Sequence, residues 1–149
     1  MIGALRKAGG WAPLPARLAL GVIFIAHGSQ KLFGAFGGGG LEGTAGFLGG
    51  MGFKPPMFWA VLLGGTEFFG GLGVLVGLLT RLASLGITIS MIVAVATVHF
   101  RNGFFLQPQH PGFEYNLALI GMCLALILSG AGKLSIEALI AKPQTPEQQ

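Results

Sequence analysis

The sequence predicts an all-α integral membrane protein in which four transmembrane helices form a bundle. Three observations lead to this prediction. Charged residues make up 9% of the 149 residues, whereas a typical soluble domain has roughly 25%. The mean hydropathy is +0.74. Four segments approach the ~20 mostly apolar residues that a bilayer-spanning helix needs. The length suits a single transmembrane domain over residues 1–149.

Each predicted span is an apolar run between polar or glycine-rich boundaries. The second and third runs are separated by little more than Thr80 and Arg81, which predicts a tight antiparallel hairpin. The first outer loop is longer and begins with a run of glycines, and we expect a short interfacial helix at about 41–48 within it. A flexible polar tail is expected at 143–149. The predicted spans are residues 15–33, 57–79, 82–99 and 113–130.

The distribution of Lys and Arg predicts the orientation. Six cations fall on the side of both termini and the hairpin loop, and three fall on the other side. Because cytoplasmic loops are enriched in Lys and Arg, we expect an N-in/C-in, multi-pass protein of the cell inner (plasma) membrane. No clean cleavage pattern follows the first apolar run, so a removed signal peptide is not expected. The six are Arg6, Lys7, Arg17, Arg81, Lys133 and Lys142; the three are Lys31, Lys54 and Arg101.

Charge, cysteine content and motif spacing exclude several classes of function. The net charge of +4 includes no basic run, so the lipid bilayer, and not nucleic acid, is the expected partner. The single cysteine, Cys123, excludes an internal disulfide and a CxxC motif. No HExxH or HxxxH spacing is present, so no metal site is expected. Ligation of a haem b or a metal by His27 and His99 from two helices remains an alternative.

Glu67 is the most informative single residue, because it lies within an otherwise uncharged apolar run. An ionisable residue inside a span normally faces the bundle interior and indicates a functional site. Its neighbours three and four positions away include Gly64, Gly70 and Gly71, which predicts a face where another helix approaches closely. In the alternative interpretation, Glu67 is protonated, hydrogen-bonded to a neighbouring helix, and purely structural.

Four further polar residues are expected beside Glu67 in the outer half of the bundle. His27 and Lys31 share a face of the first span, His99 ends the third span, and Glu114 begins the fourth. Each has a structural alternative. His27 would be a satisfied core imidazole, His99 an interfacial residue, Glu114 a partner of the helix dipole, and Lys31 a side chain that extends to the headgroups. Behind Glu114, a stripe of small residues is expected to pack closely: Ala118, Gly121 and Ala125.

Four stretches of the chain resemble the DoxX family: RLALGVIFIAHGSQKLFG, EFFGGLGVLVGLLTR, VHF and GFEYNLALIGMCLALILSGAGKLSIE. The resemblance covers about residues 17–137, and its most specific parts are the HGxxKLFG and ExxGGLxxxxGLLTR segments. His27, Lys31, Glu67 and Arg81 are the positions that match. The family is similar to membrane subunits of quinone-linked oxidoreductases, including a thiosulfate-oxidising type, so the resemblance implies a four-span fold and quinone chemistry.

The leading hypothesis is a membrane redox subunit that binds a quinone. Glu67 and His27 are the expected catalytic residues, the first carrying a proton and the second hydrogen-bonding the opposite carbonyl. Lys31, His99 and Glu114 are expected to bind the quinone or to connect it to outside water. No flavin, iron–sulfur or c-type haem motif is present, so electrons are expected from a protein partner.

Two other interpretations remain open from the sequence alone. The first is a non-enzymatic scaffold or accessory subunit that recruits a soluble redox partner through its outer loop. The second is a small-solute transporter, which four spans without inverted repeats would support only as an oligomer. A homo-oligomer is also compatible with the GxxxG pattern at Gly73 and Gly77.

Overall fold

The computed structural model describes residues 10–141, and this part of the chain consists of helices and connecting turns without a β-strand. α4 continues into a π-helical turn, Val95–His99, and a 3-10 turn, Phe100–Asn102. The tail predicted at 143–149 lies outside the described residues, as do Arg6, Lys7 and Lys142. The helices are α1 (Pro13–Phe33), α2 (Gly40–Gly50), α3 (Pro56–Val76), α4 (Thr80–Ala94), α5 (Glu114–Ser129) and α6 (Ile136–Ile140).

Helix length and composition identify a membrane protein. Pro56–Val76 and Thr80–Asn102 are each long and apolar enough to cross a bilayer. α1 and the following segment Ala35–Gly50 form a third candidate, which bends by 93°. α5 is apolar but shorter, at 16 residues. Large apolar side chains are exposed on the outer helix faces, for example Val22, Phe69 and Ile89, and such a surface suits lipid and not water.

The four longer helices pack in a ring in which α1 contacts α3, α3 contacts α4, α4 contacts α5, and α5 contacts α1. Large apolar residues fill the centre of the ring. The small residues lie where helix backbones approach each other. The short α2 packs outside the ring against α3 and α1. The central core consists of Leu20, Phe24, Val74, Ile87, Met91, Leu119, Cys123 and Leu126.

Glycines allow α1 and α3 to approach closely in antiparallel order. A methyl group added to Gly21 would lie 2.6 Å from Cβ of Leu75, and one added to Gly71 would lie 2.7 Å from the backbone nitrogen of Ile25. Nearer the other end of the pair, a methyl group on Gly64 would lie 2.7 Å from a methyl carbon of Leu32. Of the glycines that were predicted around Glu67, Gly64 and Gly71 therefore contact α1, whereas Gly70 faces Ile87 of α4.

The helix α2 matches the short helix that was expected at 41–48, and it extends a little further in both directions. Gly34 ends α1 in the left-handed conformation, with φ of +71°, which lets the chain turn sharply. Ala45 and Leu48 of α2 then pack against Ala60 of α3 in a small apolar cluster of their own. This contact holds α2 at the end of the bundle where α1 ends, which we call the cavity end.

The opposite end of the bundle, the Arg17 end, is closed by a buried arginine. Arg17 is 1% exposed. It donates hydrogen bonds to the carbonyl oxygens of Val74 (2.9 Å) and Leu75 (2.8 Å) at the end of α3. It also donates to those of Ala131 (2.9 Å) and Leu134 (3.1 Å) beyond α5. Arg17 therefore joins the end of α3, where the last carbonyl groups of a helix need partners from outside it, to the segment that follows α5.

Three expectations about small residues and helix ends need correction. α3 ends at Val76 and not at 79, because Gly77 adopts the left-handed conformation. A side chain at Gly77 would meet Arg17 and Ser135, so the GxxxG pattern at Gly73 and Gly77 does not form a continuous helix face for another copy. The stripe behind Glu114 faces outward, since Leu119 and Leu126 fill the core instead. The stripe residues Ala118, Gly121 and Ala125 are all exposed.

Candidate functional site

The carboxylate of Glu67 is paired with the ammonium group of Lys31. Nζ of Lys31 donates a hydrogen bond to Oε2 of Glu67 across 2.5 Å. The side chain of Glu67 is 3% exposed and that of Lys31 is 26% exposed. The close approach of α1 and α3 brings the two side chains together, with Gly64 leaving room beside Lys31. Glu67 is thus tolerated in an apolar helix because a neighbouring helix supplies the opposite charge.

A cavity of about 450 Å³ opens beside this ion pair, and we call it the polar cavity. It lies between α1, α3, the end of α4 and the start of α5, at the cavity end of the bundle. Four of the five residues that sequence reasoning assigned to the site line it. Apolar side chains, including Phe24, Leu63, Met91 and Leu119, form most of the remaining wall. The four site residues are His27, Lys31, Glu67 and His99.

His27 lies one helical turn before Lys31 on the same face of α1. Its side chain remains exposed while lining the polar cavity. The imidazole can donate from one ring nitrogen and accept at the other when it is neutral. His27 therefore offers the cavity both a donor and an acceptor beside the ion pair.

His99 is held by the loop that precedes α5. Its Nδ1 lies 2.8 Å from the carbonyl oxygen of Pro111. A carbonyl oxygen only accepts, so Nδ1 carries the proton, and Nε2 of a neutral ring is left as an acceptor. His99 is also the last residue of the π-helical turn. Such turns interrupt the α-helical register and often occur at functional sites.

Glu114 does not line the polar cavity and has a different contact. Its Oε1 accepts a hydrogen bond of 2.6 Å from the backbone N–H of Leu106. Glu114 also begins α5, where a negative charge suits the helix dipole. Because Leu106 and Pro111 line the cavity, Glu114 fixes the loop that forms one wall.

Sequence reasoning missed two polar residues of the cavity wall, Tyr115 and Asn116. Asn116 is 6% exposed, and its side-chain nitrogen lies 3.5 Å from the sulfur of Met91. A signal for Asn116 was present, since an amide within the apolar run of a membrane helix is unusual and normally faces other helices. Tyr115 carried no comparable signal, because tyrosines are common near helix ends at membrane interfaces.

The lining of the polar cavity suits a mostly apolar ligand that carries polar groups at its edges. Its volume falls in the range of roughly 300–1,000 Å³ that is typical of small-molecule sites. The wall offers an ammonium, a carboxylate and two imidazoles, which are groups that move protons. Within residues 10–141, no group of three or more His, Cys, Asp or Glu side chains is placed to hold a metal ion.

Fold and site together define a helical membrane protein with a part-buried ion pair in the wall of the polar cavity. The DoxX family model matches residues 12–100. The chain therefore belongs to the DoxX family.

Three bacterial proteins are similar to this chain over most of their own length. A Bacillus subtilis (strain 168) protein named "Putative oxidoreductase CatD" is 32% identical over 126 residues, which cover 85% of this chain and 84% of CatD. The Escherichia coli (strain K12) inner membrane protein YqjF is 33% identical over 129 residues, which cover 87% of this chain and 92% of YqjF. The uncharacterized membrane protein Rv3486 of Mycobacterium tuberculosis (strain ATCC 25618 / H37Rv) is 29% identical over 139 residues, which cover 87% of this chain and 81% of Rv3486. No solved structure matches the chain.

Proposed function

We propose that the protein is a membrane subunit of a quinone-linked oxidoreductase system and that the polar cavity is its quinone site. The observation that supports this most directly is the Lys31–Glu67 ion pair in the wall of the polar cavity, which His27 and His99 also line. A quinone ring is flat, apolar on both faces and polar at its two carbonyl oxygens, which suits this distribution of groups. The name of the relative CatD agrees with a redox role.

The same proposal includes the membrane arrangement. α1, α3, α4 with its π-helical turn, and α5 cross the bilayer as four spans, and α2 lies at the interface. Both termini lie in the cytoplasm, which places the polar cavity in the outer half of the inner (plasma) membrane. The inner-membrane relative YqjF supports this location.

Each polar residue of the cavity has a proposed role. When bound, a quinone supplies a ring that takes up a pair of electrons and a pair of protons. Oε2 of Glu67 holds and delivers a proton at one end of the cavity, and Nζ of Lys31 keeps that carboxylate oriented. A ring nitrogen of His27 hydrogen-bonds the opposite end of the ligand. Nε2 of His99 accepts protons from the side of the loop and passes them inward.

The electrons come from a partner protein that carries flavin, haem or iron–sulfur chemistry. The sequence has no binding motif for such a group. The partner binds at the cavity end, where the loop between α4 and α5 is exposed from Gly103 to His110.

The test compares Glu67→Gln with Glu42→Gln, a control in which the exposed carboxylate of α2 is removed. Both variants are expressed in cells lacking the native chain. We expect quinone reduction by the isolated membranes to fall at least about a hundredfold in Glu67→Gln, because general acid–base groups contribute roughly 10²–10⁴-fold. Glu42→Gln is expected to keep the wild-type rate.

Binding measured on the purified protein in lipid nanodiscs separates the role of Glu67 from the function as a whole. Wild-type protein is expected to bind decylubiquinone and to co-purify with quinone that mass spectrometry detects. Absence of both would overturn the proposed function. Full turnover by Glu67→Gln, with binding intact, would remove only the role given to Glu67.

A scaffold subunit is the second candidate, and the position of the ion pair between two helices supports it. Lys31 and Glu67 join α1 to α3, so they can stabilise the bundle without taking part in any reaction. On this alternative, Glu67→Gln lowers thermal stability and the recovery of a partner protein, and quinone binding is absent in the wild type.

A further inference from the structure

A second cavity, of about 480 Å³, lies on the lipid-facing side of the bundle between α2, α3 and α4. We call it the lateral groove. Leu62, Ile89 and Val93 line it and are also exposed on the outer surface. The groove is therefore open towards the lipid, where a dissolved apolar molecule would reach it first.

The lateral groove and the polar cavity share part of their walls. Phe47 of α2, Leu63 of α3, and Ala94 and Val98 of the α4 region line both of them. These four side chains are apolar, and they form a partition between the two spaces. Lys31 and Glu67 line only the polar cavity. The ion pair and the groove therefore lie on opposite sides of a thin partition of apolar side chains.

The interior of the groove offers no charge and little hydrogen bonding. None of its lining residues in the described part of the chain is ionisable. The hydroxyl of Ser90 donates to the carbonyl oxygen of Gly86 (3.1 Å), and that of Thr97 donates to the carbonyl oxygen of Val93 (2.8 Å). The hydroxyl donors of Ser90 and Thr97 are thus used within their own helical segment, and Thr66 supplies the third hydroxyl of the lining. The groove fits a hydrocarbon chain better than a polar group.

The π-helical turn after α4 contributes side chains to both the lateral groove and the polar cavity. Within the π-helical turn Val95–His99, Thr97 lines the groove and His99 lines the polar cavity. A π-helical turn shifts the register of the following residues relative to an α-helix. The same short segment thus serves both spaces, which supports a single ligand that occupies them together.

We propose that the ligand is a long-tailed, lipid-soluble quinone whose ring occupies the polar cavity and whose hydrocarbon tail lies in the lateral groove, with entry from the lipid past Phe47. This inference rests on the proposed function and specifies its substrate class. Adjacency of the groove to the polar cavity, with only the shared side chains between them, argues for the tail of the same molecule as the occupant, in preference to an unrelated lipid chain. Tail length then becomes a determinant of affinity.

The test uses a variant that fills the groove and a matched control on the same helix. Val93→Trp places a large side chain in the groove at a position that is 41% exposed, where bulk is tolerated. Ile92→Trp adds the same side chain at the neighbouring position, which is 52% exposed and does not line the groove. Each protein is titrated in nanodiscs with decylubiquinone and with the same ring lacking a tail.

In the wild type, decylubiquinone is expected to bind at least about tenfold more tightly than the tail-less ring, because each buried methylene adds to affinity. Val93→Trp is expected to remove this preference while leaving binding of the tail-less ring unchanged, and Ile92→Trp is expected to keep the preference. Equal preference in both variants would overturn the tail site but not the ring site. No binding of either compound by the wild type would overturn the proposed function, and the tail site with it.

A cross-linking measurement on the wild-type chain covers the case in which Val93→Trp does not fold. A quinone that carries a photoreactive group at the end of its tail is activated in nanodiscs, and the labelled peptides are identified by mass spectrometry. Labelling of Trp59 and Ile89, which line the groove, supports the proposal, provided that unlabelled decylubiquinone competes it away. Labelling confined to α5 or to the outer face at Ile92 would contradict it.

Discussion

At the scale of single residues, the ion pair between Lys31 and Glu67 explains why a carboxylate lies in the middle of an apolar helix. An isolated charge in a membrane interior is strongly unfavourable. A pair with good geometry offsets much of that penalty, whereas removing one partner leaves the other uncompensated. The two groups should therefore be energetically coupled, and their coupling can be measured.

Lys31→Met is expected to lower the free energy of unfolding by roughly 3–5 kcal/mol, because it leaves the Glu67 carboxylate unpaired. The double variant Lys31→Met/Glu67→Gln is expected to be more stable than Lys31→Met, because a neutral amide then replaces the unpaired carboxylate. Thermal unfolding in mild detergent measures both. Lys54→Met, at an exposed cation, serves as the control and should change little. A double variant no more stable than Lys31→Met would argue against the coupling.

The sequence predicts which residues belong to the site better than it predicts which of them contact each other. His27, Lys31, Glu67, His99 and Glu114 were assigned to one half of the bundle, because position along a helix gives depth at about 1.5 Å per residue; all but Glu114 line the polar cavity. The pairing of Lys31 with Glu67 was not predicted, since the two residues are 36 positions apart and the rotation of each helix about its axis is not encoded by depth. Arg17 was counted only as an orientation signal, although it is buried.

At the scale of helices, glycine spacing determines how closely α1 and α3 approach. Gly21 and Gly28 of α1 and Gly64 and Gly71 of α3 occupy the contact, where added side chains would meet the other helix. Helix association in membranes depends strongly on such close packing, because lipid tails provide no hydrophobic drive for it. The contact also sets the distance between Lys31 and Glu67, so the site depends on the interface.

Gly71→Ala tests this interface. The new methyl group would lie 2.7 Å from the backbone nitrogen of Ile25, so the helices must separate, and we expect a loss of about 1–3 kcal/mol in stability. Gly65→Ala is the matched control on the same helix, because a methyl group there meets nothing within 4 Å. Thermal unfolding should show a lower midpoint for Gly71→Ala only. Equal midpoints for the two variants would show that the close approach is not required.

Helix boundaries show where sequence reasoning fails at this scale. Apolar runs located the long helices, but hydropathy alone extended α3 through Gly77, whose left-handed conformation ends the helix. The π-helical turn Val95–His99 had no sequence signal, because its register depends on how α4 packs against its neighbours. The small-residue stripe of α5 was assigned to the wrong face, since small residues are accepted both at contacts and against lipid.

At the scale of the whole molecule, the two ends of the bundle are unlike each other. The cavity end opens to a space of about 450 Å³, whereas Arg17 and its carbonyl partners fill the Arg17 end. In this conformation the polar cavity therefore lies at one end of the bundle, and the lateral groove adjoins it across a partition of shared apolar side chains. Such a shape favours a site for a lipid-soluble ligand over a transport path that must reach both sides of the membrane.

The proposed N-in/C-in orientation can be tested with cysteine labelling. The native Cys123 is 0% exposed, so it is not expected to react with the label. His110→Cys lies in the exposed loop between α4 and α5, and Leu139→Cys lies on α6 at a position that is 85% exposed. In intact cells from which any outer membrane barrier has been removed, an impermeant maleimide is expected to label only His110→Cys. Leu139→Cys should react only after the inner membrane is permeabilised.

The labelling pattern also decides on which side the polar cavity exchanges protons. The loop that contains position 110 contributes Leu106 and Pro111 to the cavity wall, so labelling from outside would place His99 towards the periplasmic or extracellular water. The reverse pattern, with position 139 labelled in intact cells and position 110 protected, would put the cavity on the cytoplasmic side. Protons and the electron-donating partner would then both have to come from the cytoplasm, and the positive-inside assignment from six cations against three would be wrong.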